Sequence, residues 1–247
     1  MNLKSFGCSF IYGSELSDEI IYDPSKKQPL NYSKLTWPAH LAQHLNYNYL
    51  CYARPGAGNL QIAERALTHL ATNDTALFVI NWTFIDRFDY VDINNPLVDR
   101  QQHNQTDKLN PKLLPWSTIM PIDKTELANT YYKELHSEIQ DKLTTLMSIK
   151  LVLDTLHQKN CPFIMTYMDD LMFDKRWHTT PAIIDLQDYI LPHMTTFEGL
   201  NLQQWSKKNG YPITRLGHPL EQAHAAAGEL MIKVFDTQNT NDRWCRV

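Results

Sequence analysis

The chain has 247 residues, a formal net charge of −4 and 43% hydrophobic residues, which is enough apolar material for a large core in one or two domains. Acidic and basic residues are mixed along it, so no basic stripe marks a nucleic-acid footprint, and no apolar run nears the ~20 residues that span a bilayer. The four cysteines, Cys8, Cys51, Cys161 and Cys245, have neither metal-ligand spacing nor a dense disulfide pattern, and Lys4, Gly7 and Ser9 interrupt any signal-peptide core. The expectation is a protein of a reducing environment, cytoplasmic or virion-associated, without a signal peptide.

Lys4 to Cys8 reads as a buried first strand. Residues 14–36, polar and interrupted by Pro24 and Pro29, read as a long loop. Trp37 to Leu45 predicts a short helix, with Pro38 in its first turn and Leu41 and Leu45 on one face. Tyr47 to Tyr52 is a second strand candidate, and Gly58 or Asn59 caps a helix carrying Leu60, Ala63, Leu67 and Leu70. The unbroken apolar run Ala76 to Trp82 has the pattern of a central parallel strand.

Residues 88–122 have no clear period and read as an insertion over one edge of the domain. Asp123 with Glu126 predicts a capping box, followed by one long helix whose apolar set runs from Leu127 to Leu156. Pro162 ends that pattern, Phe163 to Met168 gives a fourth strand, and Asp169-Asp170 follows it. Short helices are expected at 181–191 and 200–209, a weak fifth strand at Tyr211 to Ile213, and a last helix from Pro219. The alternation predicts an α/β fold: a single three-layer α/β/α domain over residues 1–247, with a mainly parallel, flavodoxin-like sheet of about five strands and an insertion at 88–122. Ligands of such sheets bind at the carboxyl ends of the strands. The segments holding Ser9, Pro55 to Asn59, Asn81 to Thr83 and Asp169-Asp170 should therefore converge on one edge.

Two of these segments carry residues with chemical potential. Gly7-Cys8-Ser9 places a hydroxyl directly after the first strand, and His218-Pro219 places an imidazole before the last helix. A serine hydroxyl is a weak nucleophile until a base takes its proton. Histidine titrates near pH ~6.5 and can both take and return that proton. Cys8 is the rival nucleophile, but neighbouring strand residues face opposite sides, and a buried, inert Cys8 fits better. His224 lies on the apolar stripe of the last helix and reads as a core histidine. Asp169-Asp170 lacks supporting ligands at a useful spacing, so no metal site and no cofactor are expected.

The pattern resembles the SGNH hydrolases, or GDSL-type esterases, in a divergent branch like that of bacteriophage and environmental members. Gly7-Cys8-Ser9-Phe10 matches their nucleophile block with Cys in place of Asp, Gly56 falls at their oxyanion glycine, and His218-Pro219 matches their last block. The resemblance implies Ser9 as nucleophile, His218 as base, and an oxyanion hole of Ser9, Gly56 and either Asn81 or Thr83, because the third block is out of register. The block's usual aspartate, three residues before the histidine, is here Arg215. The resemblance therefore leaves a Ser9–His218 dyad held by a backbone carbonyl, or a carboxylate from elsewhere, with Asp170 the substitute. Asn59, Trp82 and Arg87 are the candidate substrate-binding residues. Trp82 also reads as packing, and Arg87 as an ion-pair partner of Asp86 or Asp89. The implied activity is hydrolysis of a small-molecule, glycan or lipid ester through an acyl-serine intermediate. An inactive binding or virion-structural module and an O-acyltransferase are the alternatives.

Overall fold

The structure, a computed structural model, describes residues 1–19, 31–72, 75–92 and 116–240. Strands β1 (Asn2–Phe6), β2 (Asn48–Cys51), β3 (Ala76–Trp82) and β6 (Phe163–Tyr167) form one parallel sheet in the order β2-β1-β3-β6. This is the 2-1-3-4 order of a flavodoxin-like sheet. A parallel bridge between Met165 and Met194 extends the edge beyond β6. Tyr211 to Ile213, expected as a fifth strand, is not one: Ile213 makes a single antiparallel bridge to Pro219.

Both faces of the sheet are covered, which explains the unbroken apolar run of β3. Its residues alternate between two cores. Leu77 and Val79 pack with Trp37, Leu41, Ala227 and Met231, on the side of α2 (Trp37–His44) and the last helix, α8 (Glu221–Thr240). Phe78, Ile80 and Trp82 pack with Ile62, Ala66, Ile149 and Leu153, on the side of α3 (Asn59–Leu70) and α5 (Glu138–Gln158). Helices α6 (Pro181–Ile190) and α7 (Leu202–Lys208) lie where short helices were expected.

The long helix expected from Asp123 onward is broken. Thr125, not Asp123, caps α4 (Glu126–Thr130), its hydroxyl accepting from Ala128 N at 3.1 Å. A π-helical turn follows (Tyr131–Leu135), then extended His136, before α5 begins. The apolar spacing misled because Leu127, Leu135 and Ile139 are exposed; their periodicity does not mark one buried stripe. Within 88–122, β4 (Phe88–Val91) and β5 (Trp116–Ile119) pair as an antiparallel hairpin; residues 93–115 of that insertion, like residues 20–30 of the loop at 14–36, lie outside the described residues. No helix among the described residues is long and apolar enough to cross a membrane.

Helices α2 and α8 meet closely. A Cβ on Gly228 would lie 2.7 Å from His40 Cβ, so a side chain there would force the helices apart. His224, buried in this contact as expected, accepts a hydrogen bond from Trp37 N at 3.2 Å through Nδ1. Burial, with a smaller contribution from His40, pushes its pKa down to about 3. The folded state thus keeps His224 neutral, whereas an unfolded chain takes up a proton below ~6.5. Its contribution to stability is complete above that value and falls as pH drops towards about 3. We predict that urea unfolding of His224→Gln between pH 6.5 and 4 loses stability less steeply than the natural protein, by up to ~1.4 kcal/mol per pH unit; equal slopes would contradict this.

Candidate active site

Strand β1 runs directly into a tight turn and a single helical turn, α1 (Ser9–Tyr12), ended by left-handed Gly13. The corner is sharp because Gly7 has φ 157°, and a Cβ there would lie 2.8 Å from Ile11 Cγ1. Cys8 points into the core and is fully buried, while Ser9, at the first helical position, keeps 7% exposure. The thiol is therefore packed away and the hydroxyl stays at the carboxyl edge of the sheet.

His218 reaches that hydroxyl. Its Nε2 lies 2.8 Å from Ser9 Oγ, and its Nδ1 lies 2.5 Å from Glu15 Oε2. A carboxylate can only accept, so the ring proton sits on Nδ1 and Nε2 is left to accept from the serine hydroxyl. Phe10, itself buried, stands edge-on to the imidazole with ring centres 5.1 Å apart. Asp170, the expected substitute acid, does not take this place: it accepts from Gln204 Nε2 at 2.5 Å. Arg215 is exposed at the second position of a turn closed by Gly217 N donating to Thr214 O.

Glu15 comes from the loop after α1. Its backbone is left-handed (φ 69°), uncommon for a residue with a side chain and costly unless the surroundings hold it. They do. Glu15 N donates to Glu19 Oε2 at 2.7 Å, and Ser17 N to Glu221 Oε1 at the start of α8 at 2.8 Å. Lys34 N donates to Asp18 Oδ2 at 2.7 Å. The Thr214 hydroxyl, donating to Glu15 Oε2 at 2.6 Å, is the main reason the carboxyl stays below the usual glutamate range, with His218 adding to it.

The second strand end supplies a type II turn. Ala57 N donates to Arg54 O at 3.1 Å across Pro55 and Gly56, with Gly56 at φ 79°. Among the described residues, neither Ser9 N nor Gly56 N donates to another protein group. Asn81 and Thr83, the two candidates for a third donor, are both buried. Asn81 donates one amide N–H to Thr166 Oγ1 at 2.7 Å, and the Thr83 hydroxyl, like the Asn81 carbonyl oxygen, is buried with no partner among the described residues.

The residues expected to bind substrate are held in the scaffold. Asn59 clamps the end of β3, accepting from Thr83 N at 2.8 Å and donating to Thr83 O at 3.1 Å. Trp82 is fully buried on the far face of the sheet, its indole donating to Met165 Sδ at 3.3 Å. Arg87 makes neither suggested ion pair. It lies over the Phe84 ring and donates to Ala57 O at 2.9 Å, bracing the turn that carries Gly56.

The feature that spacing did not reveal is Asp89, on β4. Its carboxylate accepts from Gly58 N at 3.0 Å, Gln61 N at 2.9 Å and Thr118 Oγ1 at 2.6 Å. It thus pins the hairpin to the N-terminus of α3, a favourable place for an anion, although burial still raises its pKa. Between hairpin, α4 and the Pro55-Gly56 turn lies an open cleft of about 480 Å³, lined by Arg54, Gly56, Tyr90, Ser117, Asp123 and Leu127 among others. Neither this cleft, which reaches the site through Gly56, nor a smaller cavity of about 90 Å³ behind Asp89 includes Ser9 or His218 in its lining. Glu15 was also missed, because nothing in the polar run after Gly13 separates it from Asp18 or Glu19.

No family model matches the sequence, nor does any curated protein. Among solved structures, the chain is similar to a carbohydrate esterase family 2 enzyme with a carbohydrate-binding domain from Corynascus thermopiles (Myceliophthora fergusii), at 12% identity and a TM-score of 0.46, over 94% of this chain and 64% of that one. It is also similar to a putative lipolytic protein of the G-D-S-L family from Desulfitobacterium hafniense, at 9% identity and a TM-score of 0.43, over 94% and 98% of the two chains. A third is phospholipase A1 from Streptomyces albidoflavus, at 13% identity and a TM-score of 0.40, again over 94% and 98%. Likenesses this distant assign no activity to this chain.

The Asp89 clamp makes a direct prediction. A Cβ on Gly58 would sit 2.5 Å from the Asp89 carboxylate, so Gly58→Ala must displace it. We expect a loss of ~1–3 kcal/mol in denaturant unfolding. An unchanged midpoint would remove the clamp from the account.

Proposed function

We propose that this protein is a serine ester hydrolase of SGNH type, with Ser9 as nucleophile, His218 as general base and acid, and Glu15 as the carboxylate that orients His218. The observation that carries the reading is the continuous hydrogen-bonded chain Ser9 Oγ, His218 Nε2, His218 Nδ1, Glu15 Oε2, with links of 2.8 and 2.5 Å. These are the distances that proton transfer needs.

In the proposed reaction, Ser9 Oγ attacks the ester carbonyl carbon as its proton passes to His218 Nε2. The charge that develops on the carbonyl oxygen meets the amide N–H groups of Ser9 and Gly56, which no protein acceptor occupies among the described residues. Collapse of the tetrahedral species breaks the carbonyl–alkoxy bond, and His218 returns its proton to the departing alcohol. Water then attacks the acyl-Ser9 carbonyl carbon, giving a proton to His218; collapse breaks the acyl–Oγ bond, His218 returns that proton to Ser9 Oγ, and the carboxylic acid leaves. Throughout, Glu15 holds the Nδ1 proton and stabilises the transient imidazolium. The third donor lies between Thr83, three residues beyond the β3 position that pairs with Phe6, and Asn81, which keeps a second amide N–H after its bond to Thr166.

The cleft beside Gly56 supports an ester of a polyhydroxylated compound, such as an acylated carbohydrate. Ser117, Asp123 and Thr125 offer hydroxyl and carboxylate partners around Tyr90, a mixture that suits a polyol better than a long acyl chain. The inactive-module alternative rested on Arg215 in place of the acid together with the altered third block at Asn81 to Thr83; Glu15 offers a carboxylate from another loop for the first of these.

Turnover of p-nitrophenyl acetate tests the assignment. Ser9→Ala and His218→Ala should each lose essentially all enzymatic rate. Glu15→Gln should lower kcat by roughly 10²–10⁴-fold, whereas Asp170→Asn should leave it within about threefold of the natural protein. A Ser9→Ala variant as active as the natural protein would refute the reading, and a large loss in Asp170→Asn with none in Glu15→Gln would move the acid back to Asp170.

A further inference from the structure

The Glu15 carboxylate and the His218 ring arrive from segments 203 positions apart in sequence, and one side chain binds both. The Thr214 hydroxyl donates to Glu15 Oε2 at 2.6 Å and accepts from His218 N at 3.1 Å. The Thr214 backbone closes the same ring, its N–H donating to His218 O at 2.9 Å and its carbonyl accepting from Gly217 N at 3.0 Å. Gly217, at φ 89°, gives the turn its tight return. The residue three before His218, where the resembling family carries its acid, is the exposed Arg215; the residue four before it turns inward and holds an acid brought by another loop.

We propose that Thr214 is a positioning residue for the reaction: its hydroxyl fixes the Glu15 carboxylate against His218 Nδ1, so that an acid borrowed from the loop after α1 acts as if it belonged to the histidine turn. The inference rests on the Ser9–His218–Glu15 reading and extends it. The geometry favours a positioning role over a purely structural one for two reasons. The hydroxyl's one donor and one of its acceptor lone pairs are used on the two residues being aligned. The oxygen it meets on Glu15 is also the same Oε2 that faces the imidazole. Glu15 otherwise has a strained backbone and an exposed side chain, so without Thr214 the carboxylate has other rotamers open to it.

Steady-state kinetics on a p-nitrophenyl ester separate the possibilities. Thr214→Val keeps the side chain's shape and removes the hydroxyl. It should lower kcat ~10–100-fold, the scale of a misplaced catalytic group, with KM within about twofold. Thr214→Ser, which restores the hydroxyl, should recover most of the rate. In a Glu15→Gln background, Thr214→Val should cost less than about threefold more, because residues acting through one contact are not additive. A Thr214→Val enzyme with natural kcat, a Thr214→Ser enzyme as slow as Thr214→Val, or the same loss with and without Glu15 would each overturn the proposal. If Ser9→Ala in the same assay is as active as the natural protein, the underlying reading falls and takes this role with it. If Ser9→Ala and Glu15→Gln are impaired while Thr214→Val is not, only the role of Thr214 falls.

Discussion

The His218 imidazole stands between Ser9 Oγ at 2.8 Å and Glu15 Oε2 at 2.5 Å, and the rest of the architecture serves to hold it there. The ring belongs to the turn before α8, so its position depends on how α8 seats on α2. The close approach at Gly228 and the hydrogen bond from Trp37 to the neutral His224 set that seating. The serine belongs to the corner after β1, whose sharpness depends on Gly7 and on the parallel register of β1 with β2 and β3. A parallel sheet brings only strand ends together. The histidine and the acid must therefore come from loops, and the loops must be tied down one bond at a time.

The ties are numerous around the acid. Glu221, at the start of α8, accepts from Ser17, and Glu19 accepts from Glu15 itself. The segment that carries the carboxylate is thus anchored to the same helix that follows His218. Strain in the Glu15 backbone is offset by these bonds and by Thr214. On the opposite side, Asp89 joins the β4–β5 hairpin to α3 next to the Gly56 turn, so the wall of the cleft and the proposed oxyanion site share one buried carboxylate. Gly58 is small because Asp89 needs its space.

Much of the scaffold was legible in the sequence because its physics is local. The apolar run of β3, the Pro-Gly turn after β2, the proline-led helices α2 and α6 and the stripe of α8 are all patterns that neighbouring residues produce by themselves. The pairing of Ser9 with His218 was legible too, since both lie beside punctuation that a parallel sheet orders. The failures share a different cause. The helix from Asp123 was over-extended because Leu127, Leu135 and Ile139 keep helical spacing without being buried. Trp82 was credited to substrate because a sequence does not say which face of β3 looks towards the serine, and Asn59 because nothing in it shows that its amide is bonded to the Thr83 backbone. Glu15 was missed because its place depends on a left-handed residue and on contacts across some two hundred positions, neither of which leaves a periodic trace.

The central claim is that the fold itself makes Ser9 a nucleophile. Intact-mass spectrometry after treatment with a fluorophosphonate, followed by peptide mapping, tests it most directly. The account predicts a single phosphonyl adduct on Ser9 of the natural protein in buffer, and none after unfolding in urea or in His218→Ala. An unlabelled folded protein, an adduct on Cys8 instead, or equal labelling of the folded and unfolded chains would contradict it.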